Sequence, residues 1–151
     1  MKSKLLDIDA NGRRTFVVVF ETGEEAVAAL EDFVFVHGID GAQVSAIGAL
    51  ERGVVAWLNW ETKTYEPIPV EEQCEVVSIL GDVAKSECGA PSLHLHGVLG
   101  FRGGATVGGH VRELHVRPTL EVIVTETPEH LRRRPRPDLG GIALIELKDG
   151  A

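Results

Sequence analysis

Sulfur and aromatic side chains are scarce in this chain. It has two cysteines, Cys74 and Cys88, one methionine and 5% aromatic residues among 151. Two cysteines cannot staple a disulfide scaffold, and their spacing fits no compact metal motif, so both are expected to be buried, reduced thiols. Long apolar runs are missing as well. The longest clean one, Phe16-Val17-Val18-Val19-Phe20, falls far short of the ~20 residues that cross a bilayer as a helix. The leading residues carry no signal-peptide apolar stretch. Basic charge is in deficit, with 15 Lys plus Arg against 23 Asp plus Glu and a net charge of −8. Phosphate contacts dominate nucleic-acid affinity, so an acidic chain makes a poor stand-alone nucleic-acid binder. A phosphate loop is lacking too, since Gly100-Phe101-Arg102-Gly103-Gly104 has no Lys-Ser/Thr ending. These absences lead to the expectation of a soluble, cytoplasmic protein with no membrane contact. Its length suits one domain, and its 44% hydrophobic and 25% charged residues are ordinary globular usage.

What is present reads as many strands and one clear helix. Residues 13–20 are β-branched and aromatic, which predicts a core strand. Thr22 and Glu25 then have capping-box spacing. Ala26, Leu30, Phe33, Val34 and His37 follow at helical spacing, and Gly38 supplies a left-handed stop. Residues 42–50 and 53–60 predict a hairpin turning at Glu51-Arg52-Gly53, and 64–70, with Pro67 and Pro69, suits an edge. Residues 74–80, 92–100, 105–111, 119–126 and 141–147 complete the strands, and the Arg- and Pro-rich stretch 128–138 reads as a loop before the last one. The fold class expected is α+β, with a mainly antiparallel sheet that a barrel would also satisfy.

The histidines carry the chemistry. In Leu93-His94-Leu95-His96 the side chains alternate faces, so His94 and His96 point the same way. They stand roughly 7 Å apart along the strand. His110 follows Gly108-Gly109 after a gap short enough for a hairpin. Three neutral imidazoles with an open fourth position describe a catalytic or exchangeable zinc site. The same pattern also suits hydrogen-bonded strand histidines, with His110 elsewhere. His115 falls on the opposite face of a regular strand and is at best a neighbour of the ligands. His37 reads as helix surface or core, and His130 as a loop residue.

Other residues bear weighing. Glu75 and Glu121 sit on apolar strands, where an unpaired carboxylate is costly. Each is a candidate base or histidine-orienting group, or else an ion-pair partner of Arg112 or Arg117. Arg132, Arg133, Arg134 and Arg136 form a cluster that suits an anion or DNA, or a surface paired with acids. Trp57, Trp60 and Tyr65 suit a pocket wall, or core or interface packing.

Leu93-His94-Leu95-His96-Gly97, Gly108-Gly109-His110-Val111 and Thr119-Leu120-Glu121-Val122-Ile123-Val124, in this order, resemble the PPC (plants and prokaryotes conserved) domain. The early Phe16–Phe20 strand with its helix, and Val44–Leu50, fit as well, so the resemblance spans residues 14–147. It implies a stand-alone prokaryotic member, an antiparallel-sheet subunit assembled as a homotrimer. It also implies a divalent metal ion, zinc by preference, on His94, His96 and His110. The family fold is similar to that of acetolactate decarboxylase, which holds zinc with three histidines. That analogy implies small-molecule binding, or a metal-dependent lyase or hydrolase acting on a small oxygenated acid. Plant members sit behind AT-hook motifs, which implies the alternative of a DNA-binding or transcription-associated regulator. Here Glu72-Gln73-Cys74-Glu75-Val76-Val77 replaces the plant partner-contact segment Gly-Arg-Phe-Glu-Ile-Leu, and no Gly-Arg-Pro core is present. A purely structural interaction trimer, with the histidines filling an interface, is the third alternative.

Overall fold

The computed structural model describes residues 1–127 and 132–147. The expected α+β class holds. Among the described residues, seven strands build an antiparallel sheet with one α-helix packed on it, and two short strands form a separate hairpin. The elements are β1 (Lys2–Ile8), β2 (Arg14–Glu21), α1 (Ala26–Val36), β3 (Gly41–Asn59), β4 (Thr64–Val70), β5 (Cys74–Lys85), β6 (Pro91–Gly100), β7 (Thr106–Glu126), β8 (Arg133–Arg136) and β9 (Ile142–Ile145). The sheet order is β1-β2-β7-β6-β5-β3-β4. β7 and β3 also pair with each other, so β7, β6, β5 and β3 close a barrel-like circuit. None of the described helices is long and apolar enough to cross a membrane.

Alternation explains the inside of this circuit. On β2, Phe16, Val18 and Phe20 are buried, and on β6 so are Leu95 and Leu99. β7 adds Val111, Leu114, Val116, Leu120, Val122 and Val124. The helix lays Ala26, Leu30, Phe33 and Val34 on this core. Its start differs from the capping-box expectation. Glu25, not Thr22, is the N-cap, and its carboxylate accepts from the Val27 and Ala28 amides. It also accepts from Leu114 N, which ties the helix start to β7, while the Thr22 hydroxyl donates to the Pro118 carbonyl. A carboxylate has acceptor capacity for all three amides, and a hydroxyl does not. The helix ends at His37, with Gly38 at φ 61°, as its sequence predicts.

The hairpin expected at Glu51-Arg52-Gly53 is absent. β3 runs straight through it, with Arg52 opposite His115 and Gly53 opposite both Leu114 and Val70. The strand bends by register shifts instead of turning back. The two predicted strands 105–111 and 119–126 are likewise one bent strand, β7. The stretch read as a loop at 128–138 contains β8 and a short 3-10 turn, Pro137–Leu139. The hairpin partner β9 pairs Arg133 with Ile145 and Arg136 with Ile142. β1 was not anticipated, because its side chains are all exposed and carry no buried periodicity. Cys74 is buried as expected, but Cys88 is exposed. Trp57 and Trp60 are exposed rather than core.

Candidate metal centre

β6 and β7 bring the histidines together. His94 and His96 share the outward face of β6, since Leu95 between them is buried in the barrel. His110 lies directly opposite His96 on β7 and opposite Ala56 on β3. One ligand atom from each of the three rings lies within 4.8 Å of the others. The Nε2 atoms of His94 and His96 are 3.2 Å apart. Two glycines permit this close strand packing. A methyl at Gly81 would run into the His94 carbonyl, and one at Gly109 would run into the Ala56 carbonyl.

Burial sets the electrostatics. Desolvation, then the nearby Arg133 and His96, push His94 below the ordinary histidine range. Burial, then His94 and Arg112, push His110 down to about 4. Both rings are therefore neutral at neutral pH, the form that offers a lone pair to a metal ion. His110 Nδ1 is buried and has no hydrogen-bond partner among the described residues. A buried ring nitrogen without a partner is costly in a purely structural role.

Arg133 completes the surroundings, a place that its position in a run of arginines does not signal. It is 5% exposed, and its Nη2 donates to Asp82 Oδ1 at 2.6 Å and to His94 Nδ1 at 3.1 Å. Because Nδ1 accepts, the proton of a neutral His94 ring sits on Nε2 and faces His96. Asp82 is the cross-strand partner of His94. Tyr65 stacks on His110 with centroids 4.8 Å apart, and the Arg112 guanidinium lies over the Tyr65 ring at 4.8 Å. Tyr65, His94, His110, Arg112 and Arg133 border a cavity of about 420 Å³, whose far wall is Gly140–Leu144 of the C-terminal hairpin.

The remaining candidates lie elsewhere. Glu75 faces Gly100 and borders a separate cavity with Glu72, Phe101 and Arg102. Glu121 is exposed near the opposite end of β7, opposite Val19 and Ile47. Neither is brought to the histidines, because their strand positions put them several residues along the barrel wall. Arg117 pairs with Glu51, not with Glu75 or Glu121. His115 contacts Glu113 and Arg52, away from the cluster. The arginine cluster is split up. Arg133 turns to the histidines, Arg134 pairs with Glu146, Arg136 pairs with Asp138, and Arg132 forms a backbone bridge with Lys85. His130 lies outside the described residues. Tyr65 is the one aromatic of the three that reaches the site. Only register could have revealed it, since β4 carries no chemical motif.

The comparisons agree with this architecture. The family model for the Plants and Prokaryotes Conserved (PCC) domain matches residues 8–128. The chain belongs to that family. A Pyrococcus horikoshii plant- and prokaryote-conserved protein superposes with TM-score 0.79 at 30% identity, covering 89% of this chain and 93% of that one. A metal-containing protein from Archaeoglobus fulgidus gives TM-score 0.80 at 26% identity, with 97% of each chain covered. A Bacteroides thetaiotaomicron protein, provisionally described as DNA-binding, gives 0.84 at 25% identity over 95% of this chain and 96% of that one. Acetolactate decarboxylase from Bacillus subtilis shares the fold more distantly, with TM-score 0.53 at 14% identity over 74% of this chain and 52% of that one. No curated protein sequence matches significantly.

Proposed function

We propose that this protein binds one divalent metal ion per chain through His94, His96 and His110, and presents it to a small molecule in the adjoining cavity. The observation that carries the reading is the convergence of three ring nitrogens within 4.8 Å. The donor set fits the ion. Imidazole nitrogen suits zinc among the common metals, and three ligands leave a fourth position open. The buried Nδ1 of His110, without a partner among the described residues, and the depressed basicity of His94 and His110 favour the same assignment. A metal-containing relative of the same fold adds support. A zinc ion so held would polarise a carbonyl or activate water, which is the chemistry a lyase or hydrolase needs. The chain's own residues would hold it, with Tyr65 stacked on the His110 ring.

The reading extends to a homotrimer. Ile47, Val77, Leu80, Val98 and Ile123 are exposed apolar residues on the outer barrel wall, and Leu80 sits opposite His96. Covering them with second and third copies would remove an apolar patch from water. Light scattering coupled to size exclusion tests this, with three times 16.3 kDa expected. The DNA-binding alternative draws support from the description of one relative. Against it stand the net charge of −8 and the pairing of Arg133, Arg134 and Arg136 with acids.

The decisive experiment is elemental analysis of untagged protein purified without chelators. About one zinc per chain, lost in His110→Ala, is the expected result. Metal-free protein that takes up no added zinc would overturn the reading.

A further inference from the structure

We propose that the cavity beside the three histidines is an anion site that takes a small organic carboxylate, held by Arg112 and Arg133. This rests on the metal reading only for the ligand's second oxygen donor, which would face the metal position.

The argument begins with charge pairing. Acids outnumber bases by 23 to 15, so acidic partners are in surplus. Cations elsewhere take them: Arg14 pairs with Glu126, Lys85 with Asp40 and Arg134 with Glu146. The cavity breaks that pattern. Lys63, Arg112 and Arg133 border it, and no Asp or Glu does. Arg112 stacks on Tyr65 and Lys63 lies over Trp60, and neither makes an ion pair with an acid among the described residues. Arg133 is only partly satisfied. Asp82 and His94 both engage its Nη2, while Nη1 is buried with no hydrogen-bond partner among the described residues.

A guanidinium that is 5% exposed with a donor left unpaired is costly, and Arg133 is nevertheless one of the residues that border the cavity. The planar fork of arginine matches a carboxylate, and Tyr65 stacking orients the second arginine toward the same space. The His94 and His110 rings border the same cavity. A carboxylate carrying a hydroxyl or carbonyl oxygen on the next carbon could therefore engage the arginines and the histidine-held ion at once. The volume, about 420 Å³, lies within the usual range for small-molecule sites.

The test is calorimetric titration of the purified protein with lactate and pyruvate, with inorganic phosphate and glycerol as comparison probes. Zinc content is measured on every sample. The expected result is binding of the carboxylates but not glycerol, weakened about tenfold or more in Arg112→Gln, as for loss of one charge-assisted hydrogen bond. Arg112 is on the surface, so that variant should keep the parent melting temperature and zinc content. Arg133→Lys, which keeps the charge but loses the fork, should also weaken binding. Carboxylate binding that is unchanged in Arg112→Gln, binding of phosphate alone, or no carboxylate binding by zinc-loaded protein would each overturn the proposal. The two readings fail separately. Arginine-dependent carboxylate binding by protein that holds no zinc keeps the anion site and removes the metal centre. Zinc-loaded protein that ignores carboxylates does the reverse.

Discussion

The inner and outer faces of β6 and β7 are built from the same residues in alternation, yet they have opposite characters. Inward, Leu95, Leu99, Val111 and Leu114 are at most 5% exposed and join one apolar core. Outward, the same strands present His94, His110 and Arg112 to a polar cavity, with His96 beside them in the histidine cluster. The period of two places a folding surface and a chemical surface one residue apart. Stability and ligand binding should therefore respond to different substitutions on one strand.

The strongest way to separate the faces is His94→Ala/His96→Ala. It should abolish zinc binding, read by elemental analysis. The melting temperature of the metal-free form should hold or rise, because one half-buried and one exposed polar ring are removed and no core methyl is lost. A variant that lost both metal and fold would erase the distinction. Leu99→Ala is the converse. Leu99 is 0% exposed, and its truncation should cost about 2–5 kcal/mol in denaturant unfolding while zinc per folded chain is kept.

Asp82→Asn sharpens the outer face. Zinc binding through His94 Nε2 would move that ring's proton to Nδ1, which would then need an acceptor, and Asp82 is its cross-strand neighbour. Loss of the carboxylate should weaken zinc binding about 10–100-fold in a chelator competition. Far from both faces, Arg14 donates to both carboxylate oxygens of Glu126 and so holds that carboxyl below the usual range. A depressed carboxyl adds stability that is present above the ordinary carboxylate range and lost as pH falls through its folded value. Glu126→Gln should therefore lower stability by about 1–2 kcal/mol at pH 7 and flatten the acid limb of the stability profile. The smallest effect belongs to the fully exposed Arg136–Asp138 pair. Its double alanine variant should leave the melting temperature and zinc content unchanged.

Much of this arrangement was legible residue by residue. Phe16, Val18 and Phe20 announced a strand because β-branched and aromatic side chains fill a pleated face. Leu30, Phe33 and Val34 announced a helix face, and Gly38 its end. His94 and His96 were placed on one side by strand period alone. The turn at Glu51-Arg52-Gly53 was misread because polar residues with a glycine mark a turn or a bent strand equally well. Only pairing with β7 and β4 distinguishes the two. The place of Glu75 and Glu121 could not be read for a related reason. Their local setting, a carboxylate on an apolar strand, says nothing of which end of the barrel they occupy.

Local rules thus determined the helix, the core strand segments, the acidic charge and the two-histidine face, because each depends on neighbours within a few residues. The tertiary structure decided what meets across the chain. Strand register set His110 opposite His96 and Asp82 opposite His94. The C-terminal hairpin carried Arg133 to His94, 39 residues away in sequence, and left one of its guanidinium nitrogens buried without a partner among the described residues. A single arginine in a basic cluster cannot signal that destination. It is fixed by where β8 and β9 fold back, and there burial converts an ordinary surface charge into part of a site.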